Sequence, residues 1–104
     1  ASVPGVLKNA VDWLSRPPMG AAKVFGDRPV AIIGATPGAW GTRLAQTAML
    51  PVLRNLGARV YFGKQFYVAA AAKAFDAEGA LVDDKSRALL SEFMAGFAGF
   101  VASR

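Results

Sequence analysis

Apolar positions recur along this chain at two periods, and the alternation between them predicts its elements. Val3, Leu7, Ala10, Val11 and Leu14 fall at helical spacing, with Lys8, Asn9, Asp12 and Ser15 on the opposite side. A helix from about Pro4 to Arg16 follows. Pro4 suits a first helical position, where a missing N–H costs nothing, and Pro17-Pro18 closes the helix because the residue before a proline avoids the α region. Lys8 and Asp12, four apart, are predicted to pair. Trp13 lies off the main stripe, which suggests a second covered surface. Met19 to Asp27 reads as a loop. Pro29 to Ala35, P-V-A-I-I-G-A, is short and apolar throughout. That pattern predicts a strand covered on both faces, as in a parallel sheet. Thr36 to Gly41, T-P-G-A-W-G, reads as a turn, and a helix from Thr42 to Leu56 follows it. Leu44, Ala48, Val52 and Leu56 form one row there, joined by Ala45, Met49 and Leu53. Pro51 inside this helix removes a backbone bond and predicts a kink; Gly57 is placed to cap its end.

Arg59–Phe62 and Gln65–Ala69 read as two strand pieces split at Gly63-Lys64, so a bulge or a bent last strand is expected. Ala70 to Ala74 is too short to assign to helix or loop. Phe75 to Leu81 reads as a tight turn at Asp76 to Gly79. A last helix is predicted over Asp84 to Ser103, N-capped by Asp83, with Leu90, Phe93, Met94, Phe97 and Val101 as its buried stripe. Gly96 and Gly99 weaken that helix relative to alanine, unless they admit a close neighbour. Elements that alternate between helix and strand imply an α/β fold with parallel strands. About two strands and three helices cannot bury all these apolar faces by themselves. Partner strands from elsewhere and an assembled state are therefore expected; Phe93, Phe97 and Phe100 make the last helix apolar on more than one side.

Composition sharpens this. At 54% hydrophobic and 18% charged, the chain is not disordered by composition, and its 104 residues fit one domain at most. No apolar run approaches the roughly 18–20 residues that span a bilayer, and no signal-peptide pattern is visible. Cysteine and histidine are absent, which removes disulfides, thiolate metal sites and the commonest general base. The net charge of +5 favours anionic partners, but the basic residues stand singly among apolar ones. Neither a nucleic-acid stripe nor a membrane partner is indicated. A cytoplasmic setting is expected.

The strand-turn-helix unit around Thr36 to Gly41 is the best candidate ligand site. Ligands of open α/β sheets sit beyond the carboxyl ends of strands. The glycines let backbone approach a flat ligand, and Trp40 could wall a ring system. A plain strand-to-helix connection with a packed tryptophan fits the same residues. The turn is neither G-x-G-x-x-G nor a Walker loop. The acidic residues Asp12, Asp76, Glu78, Asp83 and Asp84 read as solvated or capping groups, so no catalytic or metal-binding side chain is assigned.

Three blocks carry a resemblance to a known family. Ser2 to Pro17, S-V-P-G-V-L-K-N-A-V-D-W-L-S-R-P, resembles the helix that follows the P-E-Y-N flavin loop of the NAD(P)H-dependent FMN reductases. Arg28 to Arg43, R-P-V-A-I-I-G-A-T-P-G-A-W-G-T-R, is similar to the fourth strand and third flavin loop of that family. Phe75 to Asp83 is similar to the turn before its C-terminal helix. The resemblance implies a flavodoxin-like doubly wound parallel sheet, of which residues 1–104 would be the C-terminal part. It implies non-covalent FMN, NAD(P)H as donor, and a quinone, azo-dye, chromate or similar small-molecule acceptor. A dimer or tetramer is implied, together with an N-terminal portion of the domain as partner. The residues it places at the flavin are Ser2, Pro4, Ala35, Thr36, Pro37, Gly38, Ala39, Trp40 and Gly41. The phosphate loop and P-E-Y-N segment of the family have no counterpart here, so the isolated chain is not expected to be active. The alternative is a non-catalytic half-domain or interaction module that assembles with a partner chain.

Overall fold

The computed structural model of the chain describes residues 2–103. Helix α1 covers Gly5–Leu14, and the Lys8–Asp12 pair forms at 2.8 Å on its outer face. Only Val11 of its stripe is buried. Leu7 and Leu14 are half-exposed, and Trp13 is 71% exposed. The stretch read as a loop after α1 contains one helical turn, α2, Ala21–Val24. It ends where Asp27 N–H donates to Gly57 O at 2.8 Å and so ties the start of the sheet to the end of the next long helix.

The strand expected over Pro29–Ala35 is broken in two. Strand β1, Pro29–Val30, and strand β2, Ile33–Ala35, are separated by Ala31 and Ile32. Each pairs in parallel with a piece of the last strand: β1 with β3, Arg59–Val60, and β2 with β4, Phe66–Val68. Two residues separate β1 from β2, whereas five, Tyr61 to Gln65, separate β3 from β4. The last strand therefore bows outward, as its Gly63-Lys64 interruption predicted.

Coverage of both faces holds only along part of the first ribbon. Val30 and Ile32 pack on one face with Val60; Ala31 and Tyr61 pack on the other. Ile33 is 51% exposed and Ala35 is exposed. That departs from the expectation for a central parallel strand.

Helix α3, Arg43–Asn55, carries Met49 and Leu53 into a cluster with Val11. It continues through Pro51 and closes in a Schellman arrangement, with Ala58 N–H donating to Leu53 O at 3.1 Å and Gly57 at φ 82°. The segment left unassigned after β4 holds a short helix, α4, Ala71–Ala74. The turn beyond it forms as expected: Asp76 Oδ1 accepts from Glu78 N–H and Ala80 N–H, each at 2.9 Å, and Gly79 takes φ 85°.

Helix α5, Asp84–Ala102, packs on the opposite face from α3. Its inward row is Leu90, Phe93, Phe97 and Phe100. Met94 and Val101, expected in the stripe, are 49% and 43% exposed. The spacing explains this: the strand bulge presents Tyr61, whose ring meets Phe93 edge-on at 5.4 Å and Phe100 at 5.5 Å. The helix turns its 3-4-3 aromatic row toward that ring. A Cβ at Gly96 would lie 3.2 Å from Tyr61 Cζ, so this glycine admits the tyrosine, whereas Gly99 faces open space. The result is α1 and α3 on one face of a narrow parallel ribbon and α5 on the other. No described helix is long and apolar enough to cross a membrane.

Two outcomes follow from this packing. A Cβ at Gly34 would lie 2.7 Å from Thr42 Cγ2 and 2.8 Å from Thr42 Cβ. Gly34→Ala is expected to destabilise by about 1–3 kcal/mol, whereas Gly99→Ala should be neutral or stabilise by up to about 1 kcal/mol. Urea unfolding of the two variants checks the contrast. The second outcome concerns acid. The Ser86 hydroxyl and then its N–H donate to the Asp83 carboxylate at 2.7 and 2.9 Å and hold its pKa below the ordinary value. The cap is therefore fully effective above the ordinary aspartate pKa of about 3.9. It is lost as pH falls through the lower folded value. Asp83→Ala should lower the melting temperature at pH 7 and lower it less at about pH 2.

Candidate functional site

The turn from Thr36 to Gly41 leaves the carboxyl end of β2 and is held from one side by the end of β4 and the chain that follows it. Thr36 N–H donates to Val68 O at 2.9 Å, Ala71 N–H to Thr36 O at 2.9 Å, and Ala70 N–H to Gly38 O at 3.1 Å. Ala70 adopts a left-handed conformation, φ 48°, to reach Gly38. The parallel partner strand thus fixes the base of the turn, while Pro37, Gly38, Ala39 and Trp40 remain exposed. Trp40 is 69% exposed, so the packed-tryptophan reading of this turn does not hold.

The far end of the turn is locked by side chains. Gly41 sits at φ 64°, and a Cβ there would lie 2.9 Å from Tyr67 Cδ2. The Arg43 guanidinium lies over the same Tyr67 ring at 4.3 Å, a cation–π contact. Thr42 precedes α3 without capping it through its side chain. Its hydroxyl instead accepts from Gln46 Nε2 at 2.8 Å, and the same Nε2 donates to Phe66 O at 3.0 Å. Gln46 therefore ties the entry of α3 to the last strand.

Of the residues expected at the site, Ala35 to Gly41 are contiguous at the carboxyl end of the sheet and form one rim, exposed at Ala35 and from Pro37 to Trp40 and half-buried at Thr36 and Gly41. Ser2 and Pro4 stand at the entry of α1, both exposed. Pro4 O accepts from Lys8 N–H at 3.0 Å, and Val3 between them packs against the Val11–Met49–Leu53 cluster. No hydrogen bond joins Ser2 or Pro4 to the turn among the described residues.

The rim offers backbone, one indole and one threonine hydroxyl, and no titratable group. A Cβ at Gly38 would meet only Thr36 Oγ1, at 4.0 Å. A flat ring system can therefore approach this backbone closely. No group of three or more His, Cys, Asp or Glu able to hold a metal occurs among the described residues. What sequence reading missed is the support behind the rim. Arg43 and Gln46 lie on α3 and Tyr67 on β4, and only the ribbon register brings the strand residue to the helix pair; the one available signal was Arg43, two residues past the turn.

A parallel ribbon flanked by helices, with its exposed turn at a strand's carboxyl end, defines a doubly wound α/β protein of the flavodoxin-like kind. The chain belongs to the NADPH-dependent FMN reductase family, whose model matches residues 1–73. It is 42% identical over 91 residues to an NAD(P)H-dependent FMN reductase of Pseudomonas aeruginosa, covering 88% of this chain and 48% of that protein. It is 39% identical over 103 residues to a 2-hydroxy-1,4-benzoquinone reductase of a Burkholderia species, covering 99% of this chain and 55% of the relative. Among solved structures, FerB, a flavoenzyme NAD(P)H:(acceptor) oxidoreductase from Paracoccus denitrificans, superposes with a TM-score of 0.81 at 32% identity over 97% of this chain and 54% of FerB. The chain thus spans about half the length of the relatives it matches.

Gly41→Ala is expected to lower stability by about 1–3 kcal/mol, from the left-handed backbone and the Tyr67 contact together. Gly38→Ala should leave stability within about 0.5 kcal/mol of the parent. Thermal unfolding of the two variants checks this.

Proposed function

We propose that this chain is the C-terminal portion of a flavodoxin-like domain that binds FMN without a covalent bond and works as an NAD(P)H-dependent oxidoreductase. The supporting observation is the open rim from Ala35 to Gly41, fixed from behind by Val68, Ala70 and Ala71 and bare of side chain at Gly38. Bound there, FMN would supply the hydride chemistry between a reduced nicotinamide and a quinone-type acceptor. The protein's part is placement. Pro37, Gly38 and Ala39 present backbone to the ring edge. Trp40 walls the site, and the Gly41–Tyr67–Arg43 stack keeps the rim from collapsing onto the sheet. Ser2 and Pro4 belong to the same cradle at the entry of α1. None of these groups holds or moves a proton. The 2-hydroxy-1,4-benzoquinone reductase among the relatives favours quinones as the acceptor class.

The remaining half of the domain is an N-terminal portion. The outer edge of β1 and β2 pairs with no strand among the described residues, and Val6, Leu7, Trp13 and Leu14 leave one side of α1 bare. That portion would add parallel strands at the edge and carry the loop that anchors the FMN phosphate. Copies of the completed domain associate as a dimer or tetramer, and the setting is cytoplasmic.

Gly38→Val tests the site. The side chain enters open space, so the melting temperature should be unchanged, while FMN affinity of the whole protein, read by quenching of flavin fluorescence, should fall at least about tenfold, or 1.4 kcal/mol. Unchanged FMN affinity would remove Thr36 to Gly41 from the flavin site.

A further inference from the structure

The five-residue bulge between β3 and β4 does more than bend the strand. With the Arg43–Leu50 stretch of α3 it frames a half-open cavity of about 240 Å³, separate from the exposed rim of the turn but sharing Arg43 and Tyr67 with its support. Its apolar wall is built from Ile32, Leu50, Phe62 and Tyr67, and its cations are Arg43 and Lys64. No Asp or Glu lines it.

Both cations are weakly committed. The Arg43 guanidinium carbon lies over the Tyr67 ring at 4.3 Å, and the guanidinium makes no hydrogen bond among the described residues, so its N–H groups are available. The Lys64 ammonium has one acidic neighbour, Glu92 Oε2, at 3.8 Å, with both side chains more than half exposed. An ion pair that long and that exposed is worth little. Phe62, at the crest of the bulge, is 71% exposed, which is costly for a large aromatic side chain unless something covers it.

The geometry points to a binding site for a planar aromatic anion of one ring, an aryl carboxylate. The volume suits a single ring: 240 Å³ falls below the roughly 300–1,000 Å³ of pockets that take drug-sized molecules. The ring lies between Phe62 and the Leu50–Ile32 wall. The anionic group takes Lys64 as a point charge and the free edge of Arg43 as a two-pronged donor. The Arg43–Tyr67 contact survives, because a guanidinium can stack through its face while donating through its edge. The site lies beside the flavin rim through Gly41 and Tyr67 but does not depend on flavin for its walls. Its test can therefore fail or succeed independently of the reading above.

The probes are benzoate and its neutral isostere benzamide, titrated calorimetrically into the purified protein with and without FMN. Benzoate should bind in both forms and benzamide at least about tenfold more weakly. Lys64→Gln should lower benzoate affinity by about tenfold, the loss of one charge-assisted contact, and Lys64→Arg should retain it. Arg43→Gln should lower it by a similar factor, with circular dichroism confirming the fold. Raising the salt from 0.05 to 0.5 M should weaken benzoate and leave benzamide unchanged. Equal affinity for the two probes, no benzoate binding, or benzoate affinity unaltered in both Lys64→Gln and Arg43→Gln would overturn the assignment. Absence of FMN binding by the unsubstituted whole protein, with benzoate binding present, would overturn the flavin reading and leave this one standing.

Discussion

Three parallel pairs, Ile33 with Phe66, Gly34 with Tyr67 and Ala35 with Val68, hold the functional end of this chain together. They are a short ladder, yet every element around the turn is referenced to them. Phe66 and Val68 point into the core under Phe93. Val68 O receives the first N–H of the turn. Phe66 O receives Gln46 and fixes the entry of α3. Tyr67 faces the other way, against Gly41 and under Arg43. Alternation along one strand thus divides labour: buried residues anchor the ribbon, and the residue between them supports the site.

Glycine is what lets this ladder be approached so closely. Gly34 leaves room for Thr42, and Gly41 leaves room for Tyr67. The first contact sets the start of α3 over the strand; the second sets the exit of the turn. On the other face Gly96 leaves room for Tyr61. Three glycines on three elements therefore fix the distances at which the helices sit on the ribbon. A Cβ at the remaining rim glycine, Gly38, would touch almost nothing, and openness there is what a ligand-facing backbone requires.

The bulge and the exposed apolar surface share an origin in how little sheet the described residues contain. A parallel ribbon two strands wide cannot cover α1 on both sides, so Trp13, Val6 and Leu7 stay exposed. The same narrowness leaves the outer strand free to bow between Val60 and Phe66. Bowing sends Tyr61 to one face, where it organises the aromatic row of α5, and Phe62 outward to the cavity beside α3.

Much of this was legible in the residues. The helices over Gly5–Leu14, Arg43–Asn55 and Asp84–Ala102, the Asp83 cap, the Asp76–Gly79 turn, the Lys8–Asp12 pair and the α/β order rest on local spacing and local hydrogen bonds. A sequence displays those directly. The family resemblance rested on contiguous blocks and was legible for the same reason. What tertiary structure decided is everything that depends on which surfaces meet. Met94 and Val101 had the right spacing for burial, but Tyr61 turned the inward row to Phe93, Phe97 and Phe100. The apolar run Pro29–Ala35 read as one strand, but a partner strand with three more residues in its bend split it in two. Arg43 read as one scattered charge among many; its place over Tyr67 required a register set 24 residues away in sequence, by non-local pairing that no local pattern encodes.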